Sequence, residues 1–454
     1  MSRSLASVIV GTFTLRLSTG LTGLLLVNYL ASLHEFGGIE VTALEVSLVA
    51  VFFYATELTL SPAFGILADR IGRKPVMQLG PLFGGAAVII TGLTAYLPLL
   101  LGTRILEGAS TAASVPAILA FVAVATAHDE GLRGRAVAAF EVASIGGLGV
   151  GGVLAGPLWD HFGPLAFFMN AGLYGVSLSI YTFGVNEPGM RISALAALAS
   201  PAAMVREAAG ALAAGTRSAV RRYEHLLSRS HVMLLAPTWI ALNAAIGVFS
   251  IQAAFQLIGG GSDKPFARDQ LFMQGEGFSG TQVSFGLGIG FAIFVAGMLF
   301  WGNQFKRFRR TSIIAVGVGA AIAGLVDLLL LNHAFGLPLP LFGAGVLFAA
   351  LALFVLAGAT PAALGLLADI SEAYPIDRGA IMGLYSVFLG VGQILGNALG
   401  GVAAELRGVD GLLGLTFGLV VVALVPLYSL RLYEHEIGAD LPAVVPHPPQ
   451  TPLD

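Results

Sequence analysis

Twelve apolar stretches, each about 20 residues long, constrain this chain more than any other feature. An α-helix needs about 20 apolar residues to cross about 30 Å of hydrocarbon. The stretches lie near 5–30, 46–66, 76–96, 98–126, 135–160, 164–186, 232–258, 280–302, 311–333, 340–367, 379–405 and 411–431. Only 11% of the residues are charged, against about 25% in an average soluble domain. The sequence therefore predicts an all-α membrane protein with twelve transmembrane helices.

The positive charges predict how these helices are oriented. Of the 23 lysines and arginines, 18 fall in the loops and ends of one side and three on the other, while Arg16 and Arg104 fall inside spans. Because lysine and arginine are retained in cytoplasmic loops, we expect both termini in the cytoplasm and the chain in the cell (inner) membrane.

An internal repeat divides the chain into two halves. A shift of 245 residues places 116–163 on 361–408 without a gap, and the matched positions include five pairs of glycines. These pairs are Gly134/Gly379, Gly147/Gly392, Gly151/Gly396, Gly156/Gly401 and Gly163/Gly408. We therefore expect two pseudo-symmetric six-helix bundles with a substrate site between them at the midplane.

The repeat also sets the domain boundaries. We expect six-helix bundles over 1–186 and 232–431, a cytoplasmic linker over 187–231 and a cytoplasmic tail over 432–454. The linker alternates apolar residues with arginines, which suits an amphipathic helix on the membrane surface or a solvated one. The tail carries prolines and few large apolar residues, as is typical of disorder.

The turn between the second and third spans carries a dense charged motif. It reads Gly65-Ile-Leu-Ala-Asp69-Arg70-Ile-Gly72-Arg73-Lys74. Gly72 permits a tight turn, and Asp69 can accept hydrogen bonds from the N-terminus of a neighbouring helix. The motif resembles the signature loop of the major facilitator superfamily at every signature position. The resemblance implies a transporter whose two six-helix bundles rock against each other.

The resemblance also implies a role for this loop. In the family it latches the cytoplasmic ends of the two halves in the outward-open state, and that role is carried onto Gly65, Asp69, Arg70, Gly72, Arg73 and Lys74. Asp129 or Glu130, after the fourth span, is expected to pair with Arg73. The equivalent loop of the second half has Lys306 in place of the aspartate, so we expect a degenerate copy.

The fourth span contains Arg104 and Glu107, three residues apart on one helical face. Charges are costly inside hydrocarbon, so the two should pair or face a watery cavity. The segment resembles the family motif Arg-x-x-Gln-Gly, whose arginine is associated with proton coupling in efflux members. Glu107 replaces the usual glutamine, and it either accepts a proton beside Arg104 or neutralises it statically.

Three further charged residues inside spans are candidates for proton coupling. Arg16 and Glu57 fall near the midplane of adjacent helices and are expected to be partners. Glu141 lies nearer the cytoplasmic end of the fifth span, where an ion pair with loop arginines competes with a role in transport. A carboxyl without a partner in hydrocarbon can shed its charge by taking a proton, which makes proton coupling physically reasonable.

The fifth span contains Gly152, Gly156 and Pro157 in the order Gly-x-x-x-Gly-Pro. Glycines at this spacing let helices pack closely, and the proline bends the helix. The segment resembles the antiporter motif of drug exporters in the superfamily. The match is partial, because Asp160 and His161 replace the paired glycines that follow in those exporters.

The second half contributes amides and aromatic residues rather than charge. The predicted wall of the substrate cavity consists of Asn28 from the first half with Trp239, Asn243, Gln252, Gln256, Tyr385, Gln393 and Asn397. Each of them has the alternative of an interhelical hydrogen bond or an interfacial position.

The sequence excludes several functional classes. It has no cysteine and no phosphate-binding Gly-x-x-x-x-Gly-Lys loop, and its eight histidines show no spacing of metal ligands. We therefore expect no enzyme activity, cofactor, metal, ATP or nucleic acid. The expected partners are a small-molecule substrate, protons and membrane lipids, and the expected oligomeric state is a monomer.

These observations favour a secondary transporter that exports a drug-like or amphipathic compound by proton antiport and alternating access. One alternative is a proton symporter or exchanger of an organic anion, which Arg16 or Arg104 would bind. A second alternative is a membrane receptor or assembly factor that uses the same fold without transport.

Overall fold

The computed structural model describes residues 2–127, 129–187, 210, 230–259, 264–274, 277–305, 307–372 and 378–439. In the first half, six long helices follow one another with short turns. They are α1 (Arg3–Ala31), α2 (Ala43–Ile71), α3 (Arg73–Leu93), α4 (Leu97–Ala125), α5 (Glu130–Phe162) and α6 (Leu165–Ser179), and α6 continues into a π-helical turn over Ile180–Gly184.

The second half repeats this pattern with two interrupted helices. It comprises α7a (Ser230–Ser250), α7b (Gln252–Ile258), α8 (Gly280–Gly302), α9 (Arg310–Asn332), α10a (Leu339–Leu356) and α10b (Ala359–Glu372). The helices α11 and α12 run together over Arg378–Ala439, and non-helical backbone at Arg407 and Gly408 separates them. The described residues thus form eleven apolar segments of membrane length, of which the last holds two spans. The predicted twelve-helix fold is confirmed.

The matched glycines of the sequence repeat make equivalent contacts in the two halves. Gly147 and Gly151 pack α5 against the backbone of α1, and Gly392 and Gly396 pack α11 against the backbone of α7a. The turns after the repeated helices also agree, because the φ angles of the glycines at 163 and 408 are 52° and 57°. These left-handed φ values favour glycine, which explains why the repeat keeps glycine there.

The two ends of the molecule differ in how the halves meet. We call the end where α1 begins the terminal end and the opposite end, where α1 finishes, the far end. Among the described residues, every hydrogen bond between the halves lies in the far-end part of the molecule. The first-half core also includes Val248, Phe255 and Ala404 from the second half. The structure is therefore closed at the far end.

Several predictions fall on residues outside the described part of the chain. These are the linker helix, apart from the ends of its range and the isolated residue 210, the tail from residue 440, and Lys306 in the second-half loop. The first part of the predicted tail, 432–439, is instead helical and continues α12. The domain boundaries drawn through the linker stay predictions. The expected amphipathic character of the linker is likewise a sequence expectation alone.

Candidate functional site

A cavity of about 550 Å³ lies between the two halves. Helices α1, α2, α4 and α5 form its first-half wall, and α7a, α7b, α8 and α11 form its second-half wall. Four of the five residues predicted to couple protons line this cavity, namely Arg16, Glu57, Arg104 and Glu107. The cavity is thus built at the interface where a transporter of two repeated halves binds its substrate.

Arg16 and Glu57 stand at the midpoints of α1 and α2, which have 29 residues each. Both side chains are half-buried and face the same cavity. No ion pair within 4 Å joins them in the described part of the chain. The Arg16 charge still acts on Glu57, so the predicted partners interact electrostatically without a direct ion pair. Each is therefore open to a charged group that enters the cavity.

Arg104 and Glu107 form a direct ion pair on α4. Their exposed fractions are only 3% and 2%. Thr22 of α1 and Tyr174 of α6 lie beside the Glu107 carboxyl. A buried pair of this kind is held by mutual attraction and by surrounding polar groups, and either charge alone would be costly. The geometry favours the static neutralisation of Arg104 over a free arginine.

Glu141 lies outside the cavity but close enough to Arg16 for their charges to interact. Its side chain is exposed and does not line the cavity. It does share the α5 face of Leu148 and Gly152, which line the cavity two and three turns further along the helix. Glu141 therefore lies on the cavity-facing side of α5, nearer the terminal end than the cavity itself.

Aromatic side chains complete the cavity wall, and the sequence reasoning did not select them. They are Phe53 and Tyr54 from α2 and Phe291 from α8. The positions of the first two were detectable, since residues three and four before Glu57 share its helical face. Nothing in the sequence distinguished Phe291 from the other phenylalanines of the apolar eighth span.

The predicted amide wall does not line the cavity. Among the described side chains, all of its members are buried elsewhere: Asn28, Trp239, Asn243, Gln252, Gln256, Gln393 and Asn397. Asn243 and Asn397 donate to carbonyls one turn back in their own helices. Amides inside apolar helices take such partners because an unpaired polar group is costly there. The side chain of Tyr385 lies outside the described residues, so its role stays a prediction.

The described second-half wall is uncharged and mostly apolar instead. Its members are Ser250, Ile251, Ala254, Ser284, Leu287, Gly288, Phe291 and Leu389. None of these residues is ionisable, so the charges of the cavity all come from the first half, as far as the structure describes it.

The loop predicted to latch the halves is organised around Glu187, which the sequence reasoning missed. Gly72 has a left-handed φ of 111° and no side chain with which to cap α3. Glu187 takes over that role, because its carboxylate accepts from the backbone nitrogens of Arg73 and Lys74 at 3.2 and 2.7 Å. The Arg73 guanidinium also pairs with Glu187 at 3.3 Å. The sequence did offer one signal for this contact: an acidic residue, Glu187, follows the sixth span at the same end of the molecule as the basic residues Arg73 and Lys74.

The predicted partner of Arg73 has another function. Asp129 caps α5 by accepting from the Leu132 nitrogen at 2.8 Å, and the side chain of Glu130 lies outside the described residues. Asp69 and Arg70 are exposed. The Asp69 carboxylate lies 4.0 Å from the Arg73 guanidinium, which makes this a long ion pair. No described hydrogen bond or ion pair joins this loop to the second half, as expected for a latch that is open at the terminal end.

Two predicted packing glycines differ in what they require. A β-carbon at Gly65 would lie 3.7 Å from the β-carbon of Pro116, an ordinary contact, so close helix approach does not explain this glycine. A β-carbon at Gly156 would collide with the backbone of Gly280. The Gly156 nitrogen also donates to the Ser284 hydroxyl at 2.9 Å. Gly156, one residue before Pro157, thus forms a seam between α5 and α8, whereas Gly152 faces the cavity.

Two six-helix halves around a central cavity are the architecture of transporters built from repeated halves. The chain belongs to the Major Facilitator Superfamily, whose profile matches residues 8–367. That family consists of membrane transporters rather than enzymes. The family resemblance noted in the sequence is confirmed.

Curated relatives match over part of the chain. Multidrug resistance protein 2 of Bacillus subtilis is 37% identical over 106 residues, which are 23% of this chain and 26% of that protein. Multidrug resistance protein 1 of the same organism is 34% identical over 140 residues, 30% of this chain and 34% of that protein. The methyl viologen resistance protein SmvA of Salmonella typhimurium is 34% identical over 98 residues, 22% of this chain and 20% of that protein. The matches thus span about a third or less of each relative.

Solved structures match over nearly the whole chain and support the fold. A variant of the nucleoside transporter NupG superposes with a TM-score of 0.67 at 12% identity, covering 94% of this chain and 99% of that one. A variant of the peptide transporter POT superposes with a TM-score of 0.68 at 16% identity, covering 96% of this chain and 95% of that one.

Proposed function

We propose that this transporter exports a drug-like or amphipathic compound across the cell membrane in exchange for protons. The observation that carries the proposal is Glu57, which faces the central cavity beside the aromatic rings of Phe53 and Tyr54. In the described part of the chain its carboxylate has no ion pair within 4 Å. A carboxylate flanked by aromatic faces suits a flat cationic or amphipathic molecule, because it supplies charge and the rings supply apolar and cation–π contacts.

Proton exchange follows from competition at Glu57. A proton and a cationic substrate neutralise the same carboxylate, so binding of one favours release of the other. Arg16 lines the same wall, and its positive charge acts on Glu57. The buried ion pair of Arg104 and Glu107 lines the same cavity. In this proposal Glu141, which lies nearer the terminal end, passes protons between that end and the cavity.

The closed far end gives the proposal a direction. With both termini in the cytoplasm, as the charge distribution predicts, this state opens toward the cytoplasm and loads substrate from there. The loop from Gly65 to Lys74 would then latch the terminal end when the transporter faces outward. The names of the matched relatives, which are resistance proteins for several drugs and for methyl viologen, agree with loading from the cytoplasm.

A second candidate function is symport or exchange of an organic anion, and the observation that favours it concerns Arg16. Its guanidinium faces the cavity without an ion pair within 4 Å in the described part of the chain. Arg104 is a weaker anion site than Arg16, because Glu107 already neutralises it.

Purified transporter in liposomes with an internal pH dye tests both candidates. Under an imposed pH gradient, methyl viologen should move against the proton flux, and Glu57→Gln should reduce the coupled proton flux at least tenfold. Glu45→Gln is the matched control on the same helix, because glutamine at that position preserves the capping box of α2. Movement of protons and substrate in the same direction, or transport of benzoate but not of methyl viologen, would overturn the antiport proposal and support transport of an organic anion.

A further inference from the structure

Asp160, near the end of α5, reaches across to the other half of the molecule. Its carboxylate accepts a hydrogen bond from the backbone nitrogen of Thr281 at 2.9 Å, in the first turn of α8. The close approach of Gly156 to Gly280, one helical turn earlier, places the carboxylate over this helix start. Asp160 therefore binds the N-terminus of a helix in the opposite half.

Glu405, near the end of α11, makes the reciprocal contact. Its carboxylate accepts from the backbone nitrogen of Ala43 at 3.1 Å, in the first turn of α2. Lys264 holds the same carboxylate at 2.7 Å. Gly401, one turn earlier on α11, packs against Ala43 and Ser47 so closely that a β-carbon would collide with the serine side chain.

The two contacts are related by the internal symmetry of the chain. Asp160 falls on Glu405 under the same 245-residue shift that aligns Gly156 with Gly401. Their targets also correspond, since both α2 and α8 begin with a capping box, formed by Thr42 with Glu45 and by Ser279 with Gln282. A contact that occurs twice in symmetry-related positions, each time between halves, is a feature of the architecture rather than of one surface loop.

Helix N-termini carry partial positive charge, so a carboxylate placed there is held both by a hydrogen bond and by the helix dipole. We propose that Asp160 and Glu405 form a two-point clasp that keeps the far end closed and sets how often the transporter opens there. The two halves must separate at this end in every transport cycle. The clasp is independent of the proposed substrate and of proton coupling.

The clasp also explains a departure from the drug-exporter motif. In that motif paired glycines follow the proline of the fifth span, whereas this chain has Asp160 and His161 after Pro157. Replacement by an acidic residue adds a directed contact where the motif offers only close packing. The corresponding position of α11, Glu405, is also acidic, so each half contributes one carboxylate to the clasp.

The chain has no cysteine, so spin labels can be attached at two introduced sites without removing others. We would label His34→Cys in the first half and Asp269→Cys in the second, both exposed at the far end, and measure their distance distribution by pulsed electron paramagnetic resonance in nanodiscs. Asp160→Ala and Glu405→Ala should each raise the ratio of open to closed far ends roughly three- to tenfold. The double variant should raise it by about the product of the two.

Asp410→Asn is the matched control, because that far-end carboxylate bonds to Asn332 and His333 within the second half only. It should leave the distance distribution unchanged. Asp160→Asn and Lys264→Gln retain an acceptor at each helix start and should give smaller shifts, and they replace the alanine variants if those fail to fold. Distance distributions of folded Asp160 and Glu405 variants that match the parent, or a shift as large for Asp410→Asn, would overturn the clasp.

Discussion

The two halves have the same helical framework but present different chemistry to the cavity. The first half lines it with four charged residues, Arg16, Glu57, Arg104 and Glu107, and the described second-half wall contains no ionisable residue. Polar residues of the second half, such as Asn243 and Asn397, are buried and bonded within the helical framework. Repetition therefore preserves the packing between helices, while the charges that line the cavity all belong to the first half among the described residues.

This difference indicates a division of labour. The charged residues that can respond to protons or to a charged substrate all lie in the first six-helix bundle, as far as the structure describes the cavity. That bundle can therefore hold them at constant distances from one another. The opposite wall is uncharged as far as the structure describes it, so it can move against the first half without breaking ion pairs in the cavity. The following variants test whether the halves depend on their polar groups to different degrees.

The largest effect is expected at the buried ion pair of the first half. Glu107→Leu leaves the Arg104 guanidinium without its counter-charge in a site that is only 3% exposed. Removing one partner of a buried pair typically costs roughly 3–5 kcal/mol. Unfolding of the purified protein in an SDS titration should show a loss of this size.

The double variant Arg104→Met with Glu107→Leu separates stability from function. It removes both charges, so it should recover most of the lost free energy of unfolding. If the single variant were as stable as the parent, the pair would not be the structural centre of the first half. If the double variant were as unstable as the single one, lost packing rather than an uncompensated charge would be responsible.

The Arg104 and Glu107 pair also shows what a sequence can predict about such a site. The spacing of three residues placed both charges on one face of a helix, and the cost of charge in hydrocarbon required a partner. The same physics makes the twelve spans and the two halves predictable, because hydrophobic length and local spacing are properties of a continuous stretch of chain.

Contacts between distant stretches were less predictable. The choice of Glu187 rather than Asp129 as partner for Arg73 depends on which of several acidic residues the fold brings to the start of α3. The amides selected for the cavity wall were wrong in position, because an amide in an apolar helix can be satisfied by its own backbone, and sequence alone does not reveal which face it occupies.

The seam glycines test where the halves should be alike. Gly156→Ala and Gly401→Ala each force a β-carbon into the opposite half, and overpacking of this kind costs about 1–3 kcal/mol. We expect similar losses in unfolding free energy from the two variants. Gly152→Ala is the control, since its β-carbon would lie 3.5 Å from a Leu24 methyl group, an ordinary contact. Unequal losses from the first two would show that the seams are not equivalent.

A smaller effect is expected at the latch loop of the first half. Glu187→Ala removes the acceptor for the Arg73 and Lys74 nitrogens at the start of α3, and loss of a helix cap costs typically about 1 kcal/mol. Glu187→Gln should lose less, because an amide oxygen still accepts. The midpoint of thermal unfolding of the purified protein distinguishes the two variants. If Glu187→Ala unfolded at the same temperature as the unaltered protein, Glu187 would not stabilise the start of α3.

The smallest effect is expected in the second-half amide network. Asn397 is fully buried, donates to the Gln393 carbonyl and accepts from the Ser250 hydroxyl at 2.8 Å. Interhelical hydrogen bonds in membranes average only about 0.6 kcal/mol, because the unfolded chain in the membrane also finds partners. Asn397→Leu should therefore lower the free energy of unfolding by about that amount and leave coupled proton flux intact. A loss of proton flux with normal stability would instead give the second half a direct part in coupling, and the division between the halves would not hold.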